Sequence, residues 1–379
     1  MKILINALGV TDSGGVSVFK KLFSELLLHH GNYYIVVCNY NRPVNQLIHK
    51  YGDNSNIIFL VVNRKGILYR LYYENLILKK VVKENEVDLI YNFSGTTQFF
   101  IKIPKLLKIH NLLFYSKKLD CVYKQQNKFF LWIKQVYFKR LVFGFMLSKS
   151  KHVEVQSKHV IKYLSEFINV KEKIFYIKSD IDVSNEDYSH SKEYDFSKKI
   201  KFLYIVGPHF ESIHKNFIIF VSAMSAFDRL NIDYEINITL SKDRLHNSEI
   251  WDSNLDSKTK FLGYIDNQDK INKLFCNNTI LISTSIIETL GLHVIEGIKN
   301  GVITIAPNEP YANTVYGDNM FQYELFNRDS LVDTIMSVID CKGSHSENIL
   351  SIQDDLRQSE MSKFSSILDV FDEVLNVQK

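Results

Sequence analysis

The sequence predicts an α/β protein built from two doubly wound domains, each with a parallel sheet covered on both faces. Three observations carry that expectation. The chain has 379 residues, more than one ordinary hydrophobic core accommodates. Short apolar runs alternate with segments of helical period, in two separate series. Between the series lies a polar, aperiodic stretch, SNEDYSHSKEYDFSKK, at 184–199.

The first series opens with KILINAL, a short apolar strand. Gly14 and Gly15 form a turn, and VSVFKKLFSELLLHH then has apolar residues at helical spacing. YYIVVCN and NIIFLVV are the next strands, followed by a helix over 68–85 and the strand VDLIYNF. The second series begins near Lys199 with the strand KIKFLYIVG, which ends at Gly207. A helix over 216–231, strands at 234–240 and 260–263, and a helix over 270–276 come next. TILISTS, 292–300 and VITIAP read as strand, helix and strand. Residues 361–377 form an amphipathic helix with Phe364, Ile367, Leu368, Phe371 and Leu375 on one side. The expected division is a first domain at 1–182, a linker or insert at 183–199, a second domain at 200–358, and a C-terminal helix at 359–379 that packs back on the first domain. Such a pair places a ligand cleft at the carboxyl ends of the strands.

Composition excludes several classes. Hydrophobic residues make up 46% and charged residues 23%, which argues against disordered and collagen-like chains. The net charge of +4 is too mild by itself to indicate nucleic acid. Cys38, Cys121, Cys276 and Cys341 are scattered with no CxxC pair, so they read as reduced thiols of a cytoplasmic protein. The N-terminal apolar run is broken by Asp12 and Gly14, without a small-residue cleavage site, so it reads as a buried strand rather than a signal peptide. No stretch approaches the roughly 20 apolar residues of a spanning helix.

The segment 285–311 carries the chemistry. TILIS ends a strand, Glu288-Thr289-Leu290-Gly291 is a turn, and 292–300 is a helix closed by Gly301 as a left-handed cap. The turn therefore delivers unpaired backbone N–H groups at a helix N-terminus, a ready anion site. Glu288 stands at the strand exit, and Glu296 lies eight positions on, along the helix. Two carboxylates flanking an anion site suit a diphosphate with hydroxyl-bearing groups on both sides. The bland alternative is that Glu288 caps the helix and Glu296 is solvated.

This segment resembles the E-x7-E signature of the family 4 glycosyltransferases, which have the GT-B fold. Here it reads Ser285-Ile-Ile-Glu288-Thr289-Leu290-Gly291-Leu292, then Glu296, then Gly301 and a strand. The resemblance implies two Rossmann-like domains facing across a cleft, the first on the acceptor side and the second binding the nucleotide sugar. It implies that Glu288 holds hydroxyls of the donor sugar and Glu296 the ribose, with Ser285, Thr289, Leu290, Gly291 and Leu292 forming the donor-binding turn. Upstream, Gly207 at a strand end and Lys215-Asn216 at a helix start match the family's diphosphate site, where Lys215 neutralises the leaving phosphate. The arginine that often precedes this lysine is missing, and Pro208, His209 and Phe210 occupy the region. Either Lys215 and helix dipoles act alone, or His209 assists. Gly14 and Gly15 correspond to a glycine-rich loop that admits donor and acceptor, and His110 to a histidine that touches the donor sugar.

The resemblance further implies a retaining, metal-independent transferase with no cofactor beyond its donor, a UDP- or GDP-sugar. Its acceptor would be a glycan or lipid-linked oligosaccharide, in surface polysaccharide (O-antigen or capsule) synthesis. No metal-binding DxD-like pair sits in a convincing loop, since Asp354-Asp355 falls in a polar, solvated part.

Residues 101–151 contain twelve Lys or Arg and one acid, Asp120, with aromatics interleaved. Such a stretch suits nucleic acid or an anionic membrane surface. With a transferase of lipid-linked glycans, the inner leaflet of the plasma membrane is the expected partner, and nucleic acid is not. The alternative is an amphipathic helix with solvated lysines and buried aromatics. A sugar-nucleotide epimerase of the same architecture, or a non-catalytic membrane-associated scaffold, are the rival functions.

Overall fold

The computed structural model describes all residues except 11–12, 28–30, 64–65, 168–173, 177–187, 189–191, 231, 266, 342–344, 359–363, 365 and 377–379. The chain forms two compact units. One comprises Met1–Asp120, Lys124–Asp180 and Ser362–Lys379, and the other Cys121–Tyr123 and Ile181–Met361.

Unit 1 holds a seven-stranded sheet, all parallel: β1 (Lys2–Ala7), β2 (Tyr33–Asn39), β3 (Ile57–Val62), β4 (Leu89–Asn92), β5 (Lys105–Ile109), β6 (His152–Val155) and β7 (Ile174–Tyr176). Their order is β3-β2-β1-β4-β5-β6-β7. The apolar run at the N-terminus is a strand with five buried residues, as its composition requires. The first helix, Ser13–Leu26, starts earlier than expected and includes Gly14 and Gly15, which therefore do not form a separate turn. In a first turn the N–H groups lack intrahelical partners anyway, so glycine is tolerated there. The helix expected over 68–85 is continuous but carries a π-turn at Tyr73–Ile77, between Ile67–Tyr72 and Leu78–Glu84. The helix Ile367–Asn376 returns to this unit, with the Phe371 ring 5.2 Å from that of Tyr91.

Unit 2 holds six parallel strands in the order β10-β9-β8-β11-β12-β13. They are β8 (Ile200–Tyr204), β9 (Tyr234–Ile238), β10 (Thr259–Phe261), β11 (Thr279–Ile282), β12 (Ile303–Pro307) and β13 (Phe321–Tyr323). One face packs Phe202, Ile236, Ile280 and Ile303 against the helices Phe217–Phe227 and Arg328–Asp340. The second expected helix is shorter than 270–276, at Gln268–Asn272.

Of the expected linker, 183–187 and 189–191 lie outside the described residues. Residues 192–199 are part of unit 2. Tyr194 and Phe196 pack against its core, Tyr194 OH accepts from Ile303 N at 2.7 Å, and Asp195 N donates to Asn278 Oδ1 at 2.7 Å. Two aromatics in a polar run are enough to anchor it, because each buries a large apolar area.

The basic stretch 101–151 is not one amphipathic helix. Its first part is the buried strand β5, and Lys108 within it is 2% exposed. The Lys108 ammonium pairs with Glu154 of β6 at 2.5 Å, and Tyr91 OH donates to the same carboxylate at 2.5 Å. Lys105 donates to the carbonyls of Gln98 and Ile101, and Arg140 binds Asp120. These three cations are committed inside the protein. The helical run from Phe129 to Lys149 is different: Phe130, Phe138, Leu141 and Phe145 are exposed on it, as are Lys128, Lys134, Lys139 and Lys149.

Candidate functional site

β8 and β11 are neighbours in the second sheet, and the loops that leave them build the site. After β8 the chain is tied at Val206, whose N–H donates to Thr239 Oγ1 at 2.8 Å. It then forms a single 3-10 turn, Ile213–Lys215, and stops on Asn216 at φ 49, ψ 37. Asparagine tolerates this left-handed geometry better than most residues, and the helix Phe217–Phe227 begins directly after it.

Two hydrogen bonds stitch this turn to the loop after β11, and a third ties that loop to Tyr204 of β8. Thr284 Oγ1 donates to the Lys215 carbonyl at 2.8 Å, and Tyr204 OH lies 2.7 Å from Thr284 Oγ1. Ile286 N donates to the His214 carbonyl at 2.8 Å. The result brings Lys215 Nζ to 2.6 Å from Glu288 Oε1. Among the described residues, Glu288 is the partner of this ammonium, leaving two of its three N–H donors for a ligand.

The second half of the site is the helix Leu292–Lys299, and it begins at Gly291 with φ 63 and ψ 57. A side chain there would be strained, and its Cβ would collide with Tyr316 OH. That hydroxyl donates to the Leu290 carbonyl at 2.9 Å, and Tyr311 OH donates to the Ser285 carbonyl at 2.6 Å. The turn is thus held from below by two buried tyrosines. The N-cap residue, Gly291, has no side chain with which to cap the helix, and the first turn has no acid. Glu288 points instead to Lys215 and Ser285. The helix closes as expected on Gly301: Gly301 N donates to Ile298 O and Val302 N to Gly297 O, both at 3.0 Å.

Charges in the site are sharply assigned. Burial pushes the Glu288 carboxyl up, but Lys215, His293 and the hydrogen bond from Ser285 outweigh it and hold the group at about 2. Burial lowers His293 to about 4, aided by Lys215 and opposed by Glu288. His214 is likewise lowered to about 4 by burial, Lys215 and His209. At neutral pH the site therefore holds an ionised Glu288 and two uncharged imidazoles. Burial raises the Glu296 carboxyl, while a hydrogen bond with Gln268 and the nearby Lys299 oppose it.

The structure brings Lys215, Ser285 and Glu288 together, with Thr289–Leu292 as the turn and Glu296 on the following helix. Gly207 lies in the β8 loop, and a Cβ there would meet nothing within 4 Å. His209 is exposed. His110 and the Gly14-Gly15 pair belong to unit 1. His110 directly follows β5 and is half-buried, its ring 4.7 Å from that of Phe93.

Sequence reasoning overlooked three neighbours. His214 and His293 look like ordinary loop and helix residues; adjacency to Lys215 and to Gly291-Leu292 was their only signal. Arg244 had none. It sits on the short helix Lys242–His246 after β9, yet its Nη2 donates to the Pro208 carbonyl at 2.6 Å. A guanidinium thus reaches the 208–210 loop from a different strand end. Among the described residues no group of three His, Cys, Asp or Glu side chains is arranged to hold a metal ion.

Residues 192–351, within unit 2, match the family model of the glycosyl transferases group 1. None of the curated proteins matches the chain in sequence. Solved structures similar over the whole chain include Anabaena HepE in complex with UDP and glucose (15% identity, TM-score 0.67, 100% of this chain and 99% of that one). Sucrose-phosphate synthase from Thermosynechococcus elongatus is similar too (13% identity, TM-score 0.68, 100% and 97%). So is a Listeria monocytogenes protein assigned as a UDP-N-acetylglucosamine 2-epimerase (10% identity, TM-score 0.59, 100% and 96%). At such identities the likeness establishes the fold, which is GT-B.

Proposed function

We propose that this chain, with its group 1 glycosyl transferase domain, moves a hexose-type sugar from a UDP- or GDP-sugar to a hydroxyl of a glycan and retains the anomeric configuration. The observation that carries the reading is the Lys215–Glu288 pair at 2.6 Å, set beside an uncapped helix start at Gly291. The diphosphate would lie at that helix start and take the remaining donors of Lys215. Glu288, ionised and oriented by Lys215 and Ser285, would accept hydrogen bonds from hydroxyls of the donor sugar. Glu296, further along the same helix, would hold the ribose.

In the transfer, the bond from the anomeric carbon to the diphosphate oxygen breaks. The acceptor oxygen bonds to that carbon on the same face, and its proton passes to the departing diphosphate. Lys215 supports the negative charge that develops there, so no separate protein base and no metal is required. Arg244, held at Pro208, would add the second positive charge.

The test is release of nucleoside diphosphate from UDP- and GDP-sugars in the presence of glycan acceptors. An epimerase would interconvert the sugar with no such release, and that outcome would replace the transferase reading. Glu296→Ala should weaken binding of the free nucleotide by about tenfold, the scale of a charged hydrogen bond, with circular dichroism unchanged. Undiminished nucleotide affinity would remove Glu296 from the ribose site.

The acceptor is proposed to be a lipid-linked glycan of surface polysaccharide (O-antigen or capsule) synthesis, met at the inner leaflet. The exposed aromatics and lysines along Phe129–Lys149 support this, because apolar side chains and cations together suit an anionic interface. No helix among the described residues is long and apolar enough to cross a membrane. The protein should float with anionic liposomes and be released by salt. Phe130→Ser/Phe138→Ser should reduce that binding by about 30-fold or more, at roughly 1–2 kcal/mol per buried aromatic. Equal recovery with neutral and anionic vesicles, or none with either, would withdraw the membrane.

A further inference from the structure

The carboxyl ends of β1 and β4 hold a second polar construction, in unit 1. The two strands are neighbours, but the chain winds outward from β1 to β3 and then crosses back to β4 to wind the other way. Open α/β sheets receive ligands at such a switch point. Here the two exit loops are stapled together: Ser94 Oγ donates to the Asn6 carbonyl at 3.0 Å and accepts from Gly9 N at 3.0 Å.

Beneath the staple lies Glu74, fully buried at 0% exposure. Its Oε1 accepts from Asn6 Nδ2 at 2.9 Å, Thr96 Oγ1 at 2.6 Å and Arg70 Nε at 2.9 Å. The π-turn at Tyr73–Ile77 turns both Glu74 and Asn75 inward, and Asn75 Oδ1 accepts from Phe99 N at 2.7 Å. Arg70 Nη2 donates to Thr96 Oγ1 at 2.5 Å and to the Ser94 carbonyl at 3.3 Å. The third nitrogen, Nη1, has no hydrogen-bond partner among the described residues. It lies against Gly9 so closely that a Cβ on that residue would collide with it. The Arg70 side chain remains 19% exposed.

Stability alone gives little reason for this arrangement, since a buried ion pair is often no better than apolar residues of the same volume. What the network does is fix a guanidinium in one orientation. Its buried edge is used up by Glu74, Thr96 and Ser94. Its remaining edge offers donors only, which suits an acceptor-only group such as a phosphate or carboxylate oxygen.

We infer that Arg70, aimed by buried Glu74, is an anion-binding group at the switch point of unit 1 and takes a phosphate or carboxylate oxygen of a ligand. If the transfer proposed above is correct, that ligand is an acidic acceptor; the binding claim itself stands without it. The test is equilibrium binding of inorganic phosphate and of methyl glucuronide to the full chain, which distinguishes the two sources of the anion. Arg70→Gln alone leaves Glu74 buried without its cation, so the double variant Arg70→Gln/Glu74→Gln is used beside it. The double variant should fold, bind free UDP as the parent does, and lose about 10- to 100-fold in affinity for the preferred anion. Lys215→Ala serves as the control for phosphate held in unit 2 and should keep this binding. Parental affinity for both probes in a folded double variant, or no binding of either by the parent, would overturn the inference. Failure of nucleotide release with anion binding intact would count against the transfer alone.

Discussion

Replacing Lys215 by alanine should lower kcat by on the order of 10²-fold, the usual effect of losing one preorganised charge at a departing oxyanion. The lysine stands at the end of a 3-10 turn whose backbone is fixed by Thr284 and Ile286, so its ammonium is held where charge would develop. Its loss also removes the cation that keeps Glu288 ionised at about 2, and KM for the sugar nucleotide should rise with the fall in kcat. Arg244→Gln should cost less, within about tenfold, because that guanidinium is exposed and screened. Steady-state kinetics against a UDP-sugar, with circular dichroism as the folding control, measures both. A Lys215→Ala enzyme within threefold of the parent would remove the lysine from the reaction. An Arg244→Gln variant that equals Lys215→Ala would make the two charges equal partners.

Lys108→Ala should lower the unfolding free energy of unit 1 by about 3–5 kcal/mol. Lys108 and Glu154 are direct partners in the register of β5 and β6, both essentially excluded from solvent. Alanine leaves the Glu154 carboxylate, which also accepts from the Tyr91 hydroxyl, buried without its ammonium. Lys108→Met/Glu154→Gln, which discards the charges but keeps an acceptor for Tyr91, should recover most of the loss. Urea unfolding followed by tyrosine and tryptophan fluorescence is the measurement. A loss under about 1 kcal/mol for Lys108→Ala would show that water reaches the pair and that its burial has been overstated.

The same lysine shows where reading the sequence failed. In KLLKIHN, two lysines interrupt the apolar run, and charge counting assigns them to a solvated face. A lysine becomes a core residue only when a carboxylate arrives on the neighbouring strand, 46 positions away. β6, a four-residue strand with His152 and Glu154 buried, was obscured for the same reason. β7 and β13 have three residues each, too few to show a period. By contrast β1, β2, β8, β11 and β12 are short, mainly apolar runs, because strands covered on both faces bury most of their side chains; β3 is equally apolar, although at the sheet edge it leaves Ile58 and Val61 exposed.

The site divides along the same line. The strand, turn, helix and left-handed cap around Glu288 and Glu296 were legible, since each depends on residues within a few positions. Gly291 and Gly301 take backbone angles that glycine adopts without strain, at φ 63 and φ 70. What the sequence could not contain is the pairing of Lys215 with Glu288, 73 residues apart, or the arrival of Arg244 at Pro208. Those contacts exist because β8, β9 and β11 lie side by side and release their loops at one end of the sheet. Local backbone preference writes the elements, whereas the electrostatics of the site depend on which strand ends packing makes neighbours.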